Sequence, residues 1–189
     1  MNPYETVGVV FGVISVWLTV RENIWCWPTG LVNVLLFVVV FWQAKLYADM
    51  GLQVVYTILS VYGWYEWLHG GKDRGERAVE RTPRRVLVPL LIAGVIGLAS
   101  LGLFLRRATD AALPFWDAGT TSFSLVAQWM LTKKWLENWL IWIVVDVVYV
   151  GMYLYKQLYP TAGLYLVFLV LACLGFQAWT KALGVAPRA

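Results

Sequence analysis

The chain has 189 residues, of which 60% are hydrophobic and 14% charged, with a net charge of +4 and a mean hydropathy of +0.66. Soluble domains carry about 25% charged residues, and the charges here are clumped, which argues against a water-soluble fold.

Seven long apolar runs follow in order, at 4–20, 24–42, 50–68, 86–105, 115–131, 136–155 and 161–180. A hydrocarbon core of about 30 Å takes roughly 20 apolar helical residues to cross. The sequence therefore predicts an all-α integral membrane protein of seven transmembrane helices, with little left over for a soluble domain. The first run, MNPYETVGVVFGVISVWLTV, lacks a basic start and is followed by RENIWCW rather than a small-residue cleavage site. It reads as a span and not as a leader peptide. Cys26 and Cys173 lie inside apolar runs and read as packing residues rather than as a disulfide or metal pair. His69, beside Gly70 and Gly71 at a run's end, reads as interfacial rather than as a ligand.

With seven spans, every basic residue can be assigned to a side. Eleven fall on one side: Arg21, six in the 72–85 loop, Lys133, Lys134, Lys181 and Arg188. Four fall on the other: Lys45, Arg106, Arg107 and Lys156. The excess of Lys and Arg marks the cytoplasmic side, so the N-terminus is expected outside and the C-terminus inside. The loop KDRGERAVERTPRR has interspersed acids and no aromatic residues. It is expected to be a solvated cytoplasmic linker rather than a nucleic-acid-binding segment.

The two ends of the chain resemble one another. Leu46-Tyr47 recurs as Leu158-Tyr159, Gly51-Leu52 as Gly163-Leu164, Gly63 as Gly175 and Trp67 as Trp179, all 112 positions apart. With small gaps, Glu22-Asn23 is aligned with Glu137-Asn138 and Asn33 with Asp146. The expected organisation is a first three-helix unit (1–68), a basic loop (69–85), a linker helix (86–105) and a second three-helix unit (106–189). An odd number of helices plus one linker makes the two units parallel, and in such folds the substrate site lies between the repeats near mid-membrane.

Polar residues fall on helical faces. In TKKWLENWLIWIVVDVVYVGMYLYKQLY, residues Trp135, Asn138, Trp142, Asp146, Tyr149 and Tyr153 share one face, opposite Leu140, Val144 and Val147. Gln53, Tyr56, Ser60, Trp64 and Trp67 make a stripe on the third run, and Asp117, Thr121, Ser124 and Gln128 one on the fifth. A carboxylate at a helix centre costs about 2.5–3.5 kcal/mol to insert, so Asp146, near the middle of its run, has a use. The other reading is that such residues are interhelical glue and that Trp67 and Trp135, near helix ends, belong to an interfacial belt. The candidate site is Asn33, Gln53, Tyr56, Ser60, Trp64, Thr121, Ser124, Gln128, Asn138, Trp142, Asp146 and Tyr149. Aromatic faces with amides and few charges suit a flat, hydrogen-bonding solute. No dinucleotide, P-loop, zinc-protease or nucleophile-elbow motif occurs, so no enzyme activity, cofactor or metal is expected.

The blocks LPFWDAGTTSFSLVAQWMLTKKWLENWLIW (113–142) and WPTGLVNVLLFVVVFWQAKLYADMGLQVVYTILSVYGWYEW (27–67) resemble the PnuC family of bacterial vitamin transporters. The motifs PFWD, ENWxxW, LYAD, LQxxY and YGWYxW are specific in combination. The resemblance implies a 3+1+3 bundle related to SWEET transporters and a homotrimer in the inner membrane. It further implies uptake of nicotinamide riboside, a precursor of NAD, by facilitated diffusion, with a cytoplasmic riboside kinase trapping the product. Sister groups of the family resemble carriers of thiamine or riboflavin. A proton-coupled carrier, a small receptor and a membrane scaffold are the remaining readings of the residues themselves.

Overall fold

The structure, a computed structural model, describes residues 3–43, 47–109 and 112–185. Lys45, Leu46 and Arg188, used in the sequence reading, lie outside these. The described residues form seven α-helices: α1 Pro3–Val20, α2 Cys26–Gln43, α3 Tyr47–His69, α4 Arg84–Ala108, α5 Pro114–Thr132, α6 Asn138–Tyr155 and α7 Tyr159–Val185. Prolines stand in the first turn of α1, α2, α5 and α7 (Pro3, Pro28, Pro114, Pro160), where a missing N–H costs no helical bond. Five helices (α1, α2, α4, α6, α7) are long and apolar enough to cross a membrane by length and composition. The remaining two, α3 and α5, each carry a polar stripe, and on α5 Thr120, Ser122 and Ser124 are buried inside the protein. Val144 and Val147 of α6, by contrast, are 63% and 54% exposed, as lipid-facing residues are.

The helices close into a ring. α2 packs between α1 and α3, α6 packs between α5 and α7, and the seams α1–α7 and α3–α5 complete the circuit. α4 packs against α5.

Contacts recur across the molecule with one spacing. α2 and α6 begin and end 112 positions apart. Trp27 meets Trp67 edge-on at 5.3 Å, and Trp139, 112 residues on, meets Trp179 edge-on at 5.3 Å. The Trp67 indole donates across the α3–α5 seam to the Leu131 carbonyl at 3.0 Å. The Trp179 indole donates across the α1–α7 seam to the carbonyl of Thr19, the counterpart of Leu131, at 3.1 Å. The turns ending α1 and α5 match as well. Glu22 and Lys134 both adopt a left-handed backbone (φ 54° and 53°). Asn23 N–H bonds Leu18 C=O at 2.9 Å, and Trp135 N–H bonds Met130 C=O at 3.2 Å. Such bonds satisfy carbonyls left over at a helix end.

This fixed spacing corrects the gapped part of the sequence alignment. Glu22 corresponds to Lys134, with which it forms an ion pair at 3.1 Å, and not to Glu137. Asn33 corresponds to Val145, and Asp146 to Val34. The polar residues at mid-helix are therefore specific to one half each, because a repeated backbone leaves side chains free to diverge wherever packing permits.

The 70–83 segment is also different from the expected solvated linker. After one 3₁₀ turn, Lys72–Arg74, it runs as an extended strap over the ends of α3, α5 and α6. Glu80 N–H bonds Lys134 C=O at 3.1 Å, and Leu136 N–H bonds Glu80 C=O at 2.9 Å. The Glu137 carboxylate accepts both the backbone N–H and the hydroxyl of Thr82, each at 2.7 Å. Val79 and Thr82 are buried. Arg77, Val79 and Thr82 turn inward while Ala78, Glu80, Arg81 and Pro83 stay exposed, so the high charge of the segment concealed a docked strap.

Candidate functional site

A tyrosine-rich centre forms where α6 and α7 meet. Tyr149 and Tyr153 of α6 stack at 5.8 Å, and Tyr165 of α7 lies 4.5 Å from Tyr149 and 5.1 Å from Tyr153, centroid to centroid. Phe168 meets Tyr165 edge-on at 5.7 Å. From α5, Ser124 lies close to the hydroxyls of Tyr149 and of Tyr56 on α3. Thr120 also reaches Tyr149. One helix of the first half and three of the second thus converge on a small set of hydroxyls and ring faces.

Asp146 completes this centre. It lies midway along α6, only 4% exposed, close enough to Tyr149 and Tyr165 to interact electrostatically with both. Among the described residues none donates a hydrogen bond to its carboxylate. A buried carboxylate with no donor is costly, and a site that receives a polar or cationic ligand supplies the missing partner.

The twelve candidate residues separate into groups. Tyr56, Ser124, Asp146 and Tyr149 come together at the centre. Gln53, Thr121 and Gln128 are half-buried on α3 and α5. Ser60 is buried on α3. Trp142 packs against the buried tryptophan cluster built on Trp27, Trp67, Trp139 and Trp179.

Three candidates are placed elsewhere. Asn33 Nδ2 donates to the Gly8 carbonyl at 2.7 Å and fits beside Gly12, so it ties α2 to α1. Trp64 is 37% exposed. Asn138 is fully buried at the start of α6, where its Nδ2 donates to the Trp135 carbonyl at 2.6 Å and its Oδ1 has no partner among the described residues. Trp67 and Trp135, for which an interfacial belt is the other reading, are both buried (3% and 8% exposed).

Sequence reasoning passed over Thr120, Tyr165 and Phe168. Thr120 is one position from the stripe assigned to α5. Tyr165 and Phe168 sit three residues apart on α7, a run with no polar stripe to draw the eye. Among the described residues no group of three His, Cys, Asp or Glu side chains is placed to hold a metal.

Comparisons with known proteins agree on one family. Residues 2–181 match the model of a family described as nicotinamide mononucleotide transporter. The chain is similar to the nicotinamide riboside transporter PnuC of Escherichia coli, 28% identical over 93% of this chain and 84% of that protein. It is similar also to the riboflavin/roseoflavin transporter RibM of Streptomyces davaonensis, 24% identical over 93% of this chain and 83% of that one. Among solved structures, the crystal structure of the vitamin B3 transporter PnuC superposes with a TM-score of 0.75. The identity is 25%, over 97% of this chain and 84% of that chain.

Proposed function

The chain belongs to the nicotinamide mononucleotide transporter (PnuC) family, so it is a multi-pass membrane transporter and not an enzyme, and from that membership we propose that it carries nicotinamide riboside. The observation that carries this reading is the centre formed by Tyr56, Ser124, Tyr149 and Tyr165 around Asp146. Nicotinamide riboside presents a flat cationic ring, a carboxamide and ribose hydroxyls. Tyrosine faces attract such a ring with about 0.5–2 kcal/mol. The Asp146 carboxylate supplies a counter-charge, and the hydroxyls of Ser124, Tyr56 and Tyr149 pair with the ligand's polar groups.

A second reading has support in the similarity to RibM. Riboflavin is flat but uncharged, so it leaves the Asp146 carboxylate without a partner; thiamine, a flat cation, does not. The order of affinity we propose is nicotinamide riboside, then thiamine, then riboflavin and nicotinamide.

The proposed arrangement is two parallel three-helix units, 1–68 and 106–189, joined by the linker helix α4, in a homotrimer in the bacterial inner membrane. The strap-bearing end and the C-terminus face the cytoplasm, in keeping with the eleven-to-four split of basic residues. Transport is facilitated diffusion by alternating access, with the product trapped by a cytoplasmic riboside kinase. Asp146 stands alone at mid-helix, whereas a proton relay strings several acids or histidines along its path.

Isothermal calorimetry of the purified protein against the four ligands tests the substrate. Nicotinamide riboside binding tightest is the expected result. Thiamine or riboflavin binding tenfold more tightly overturns the substrate and leaves the family assignment standing.

A further inference from the structure

The two seams that close the ring use counterpart positions but different chemistry. At the end of α1, the Arg21 guanidinium lies over the exposed Trp17 ring at 4.5 Å. Their counterparts 112 residues on are Lys133 and Trp129, at the α3–α5 seam, where the ammonium lies 5.4 Å from the ring centroid. Only this second seam adds Tyr62, stacked on Trp129 at 5.5 Å with planes 2° apart. Only it adds Glu66, whose carboxylate holds Lys133 Nζ at 3.0 Å and also pairs with the Arg77 guanidinium. The α7 counterparts of Tyr62 and Glu66 are Leu174 and Ala178, neither polar.

Arg77 recruits the strap to the same place. Its Nε donates to the Lys133 carbonyl at 2.7 Å, and its backbone N–H to the Trp67 carbonyl at 2.9 Å. One carboxylate on α3 therefore holds a cation from the α5 end and a cation from the strap. All three side chains are largely shielded, at 12% exposure for Glu66, 15% for Arg77 and 18% for Lys133.

We propose that the α3–α5 seam is the gate at the strap-bearing end of the transport path, and that Glu66 is its latch. The proposal rests on the reading of the chain as an alternating-access transporter with that end in the cytoplasm. Trp129 is five residues beyond Ser124 on α5, about 7.5 Å along the axis, so the latch lies between the tyrosine-lined centre and the helix ends. Opening this seam returns three charged groups to water, which offsets the loss of their ion pairs. The α1–α7 seam has no such compensation, because Ala178 stands where Glu66 would have to hold the cation. Loss of the Glu66 charge leaves the Lys133 and Arg77 cations shielded without their shared anion, and the closed arrangement loses population to the open one.

The test reads accessibility rather than transport. Ser124→Cys serves as a reporter in a Cys173→Ala background, with Cys26 retained because it is buried. A membrane-impermeant maleimide is applied to the cytoplasmic face of inside-out vesicles. Glu66→Gln is expected to raise the labelling rate on the order of tenfold, and Glu66→Asp to return it toward the parent rate. Arg21→Gln, at the counterpart position of Lys133, is expected to leave it unchanged. Should Glu66→Gln fail to fold, Lys133→Gln breaks the same pair from the other side and is expected to raise the rate likewise. A parent-like rate in the folded variants, or an equal rise in Arg21→Gln, overturns the latch. No substrate enters the assay, so a failure of the nicotinamide riboside reading would show in calorimetry and not here.

Discussion

Gly175→Ala offers a direct measure of how tightly the second half is packed. A Cβ at Gly175 would stand 2.5 Å from the Trp139 ring, and real side chains essentially never approach below 3.0 Å. The ring has little freedom to retreat, since Trp139 is 2% exposed and set edge-on against Trp179, which is itself fully buried. Overpacking of this kind costs about 1–3 kcal/mol. For a chain of this size each kcal/mol lowers Tm by about 2–4 °C, so a cost of roughly 2 kcal/mol corresponds to about 4–8 °C. Gly63→Ala should behave alike, because its Cβ would strike Trp27 at the counterpart position. Gly163→Ala is the control, as nothing lies within 4 Å of its Cβ and alanine favours the helix. Thermal unfolding in detergent, followed by size-exclusion chromatography, ranks the three variants. Gly63→Ala and Gly175→Ala melting like the parent, or Gly163→Ala melting as low as they do, would refute the packing account.

Four further outcomes are expected. Trp67→Phe and Trp179→Phe each remove one indole-to-carbonyl bond across a seam, and each should lower stability by about 1 kcal/mol in the same unfolding assay. Glu137→Ala removes both acceptor contacts to Thr82, so the strap should become cleavable by trypsin at Arg77 or Arg81 in inside-out vesicles while the parent resists. Asp146→Asn keeps the hydrogen-bonding shape and loses the charge; calorimetry should show nicotinamide riboside binding weakened by roughly fivefold, the factor for about 1 kcal/mol, with neutral nicotinamide unaffected. A C-terminal fluorescent-protein fusion should glow and an alkaline-phosphatase fusion should be silent, and the reverse pattern would invert the proposed orientation.

The membrane helices were legible because lipid imposes length and apolarity on each one. The strictly repeated residues were legible too, since Gly63 and Gly175 must each admit a tryptophan and Trp67 and Trp179 must each reach across a seam. Asn33 and Asp146 misled the alignment because no shared contact holds them in register; one ties α1 to α2 and the other faces the centre. The strap was hidden because its partners, Lys134, Leu136 and Glu137, lie more than fifty residues away. Its inward residues are only Val79, Thr82 and the stem of Arg77. Helical periodicity brought Tyr56, Ser124, Asp146 and Tyr149 together correctly as inward-facing residues, but periodicity gives a face and not a depth. Asn138 shares the face of Asp146 yet sits two turns away, at the helix start, where it donates to a backbone carbonyl.

Uptake of labelled nicotinamide riboside into liposomes carrying the purified protein, with no pH, sodium or voltage gradient, is the decisive test of facilitated diffusion. Saturable entry that stops when internal and external concentrations are equal is expected, together with rapid exchange against unlabelled nicotinamide riboside added afterwards. Entry no faster than in empty liposomes would contradict it, and so would accumulation above the external concentration on imposing a proton gradient.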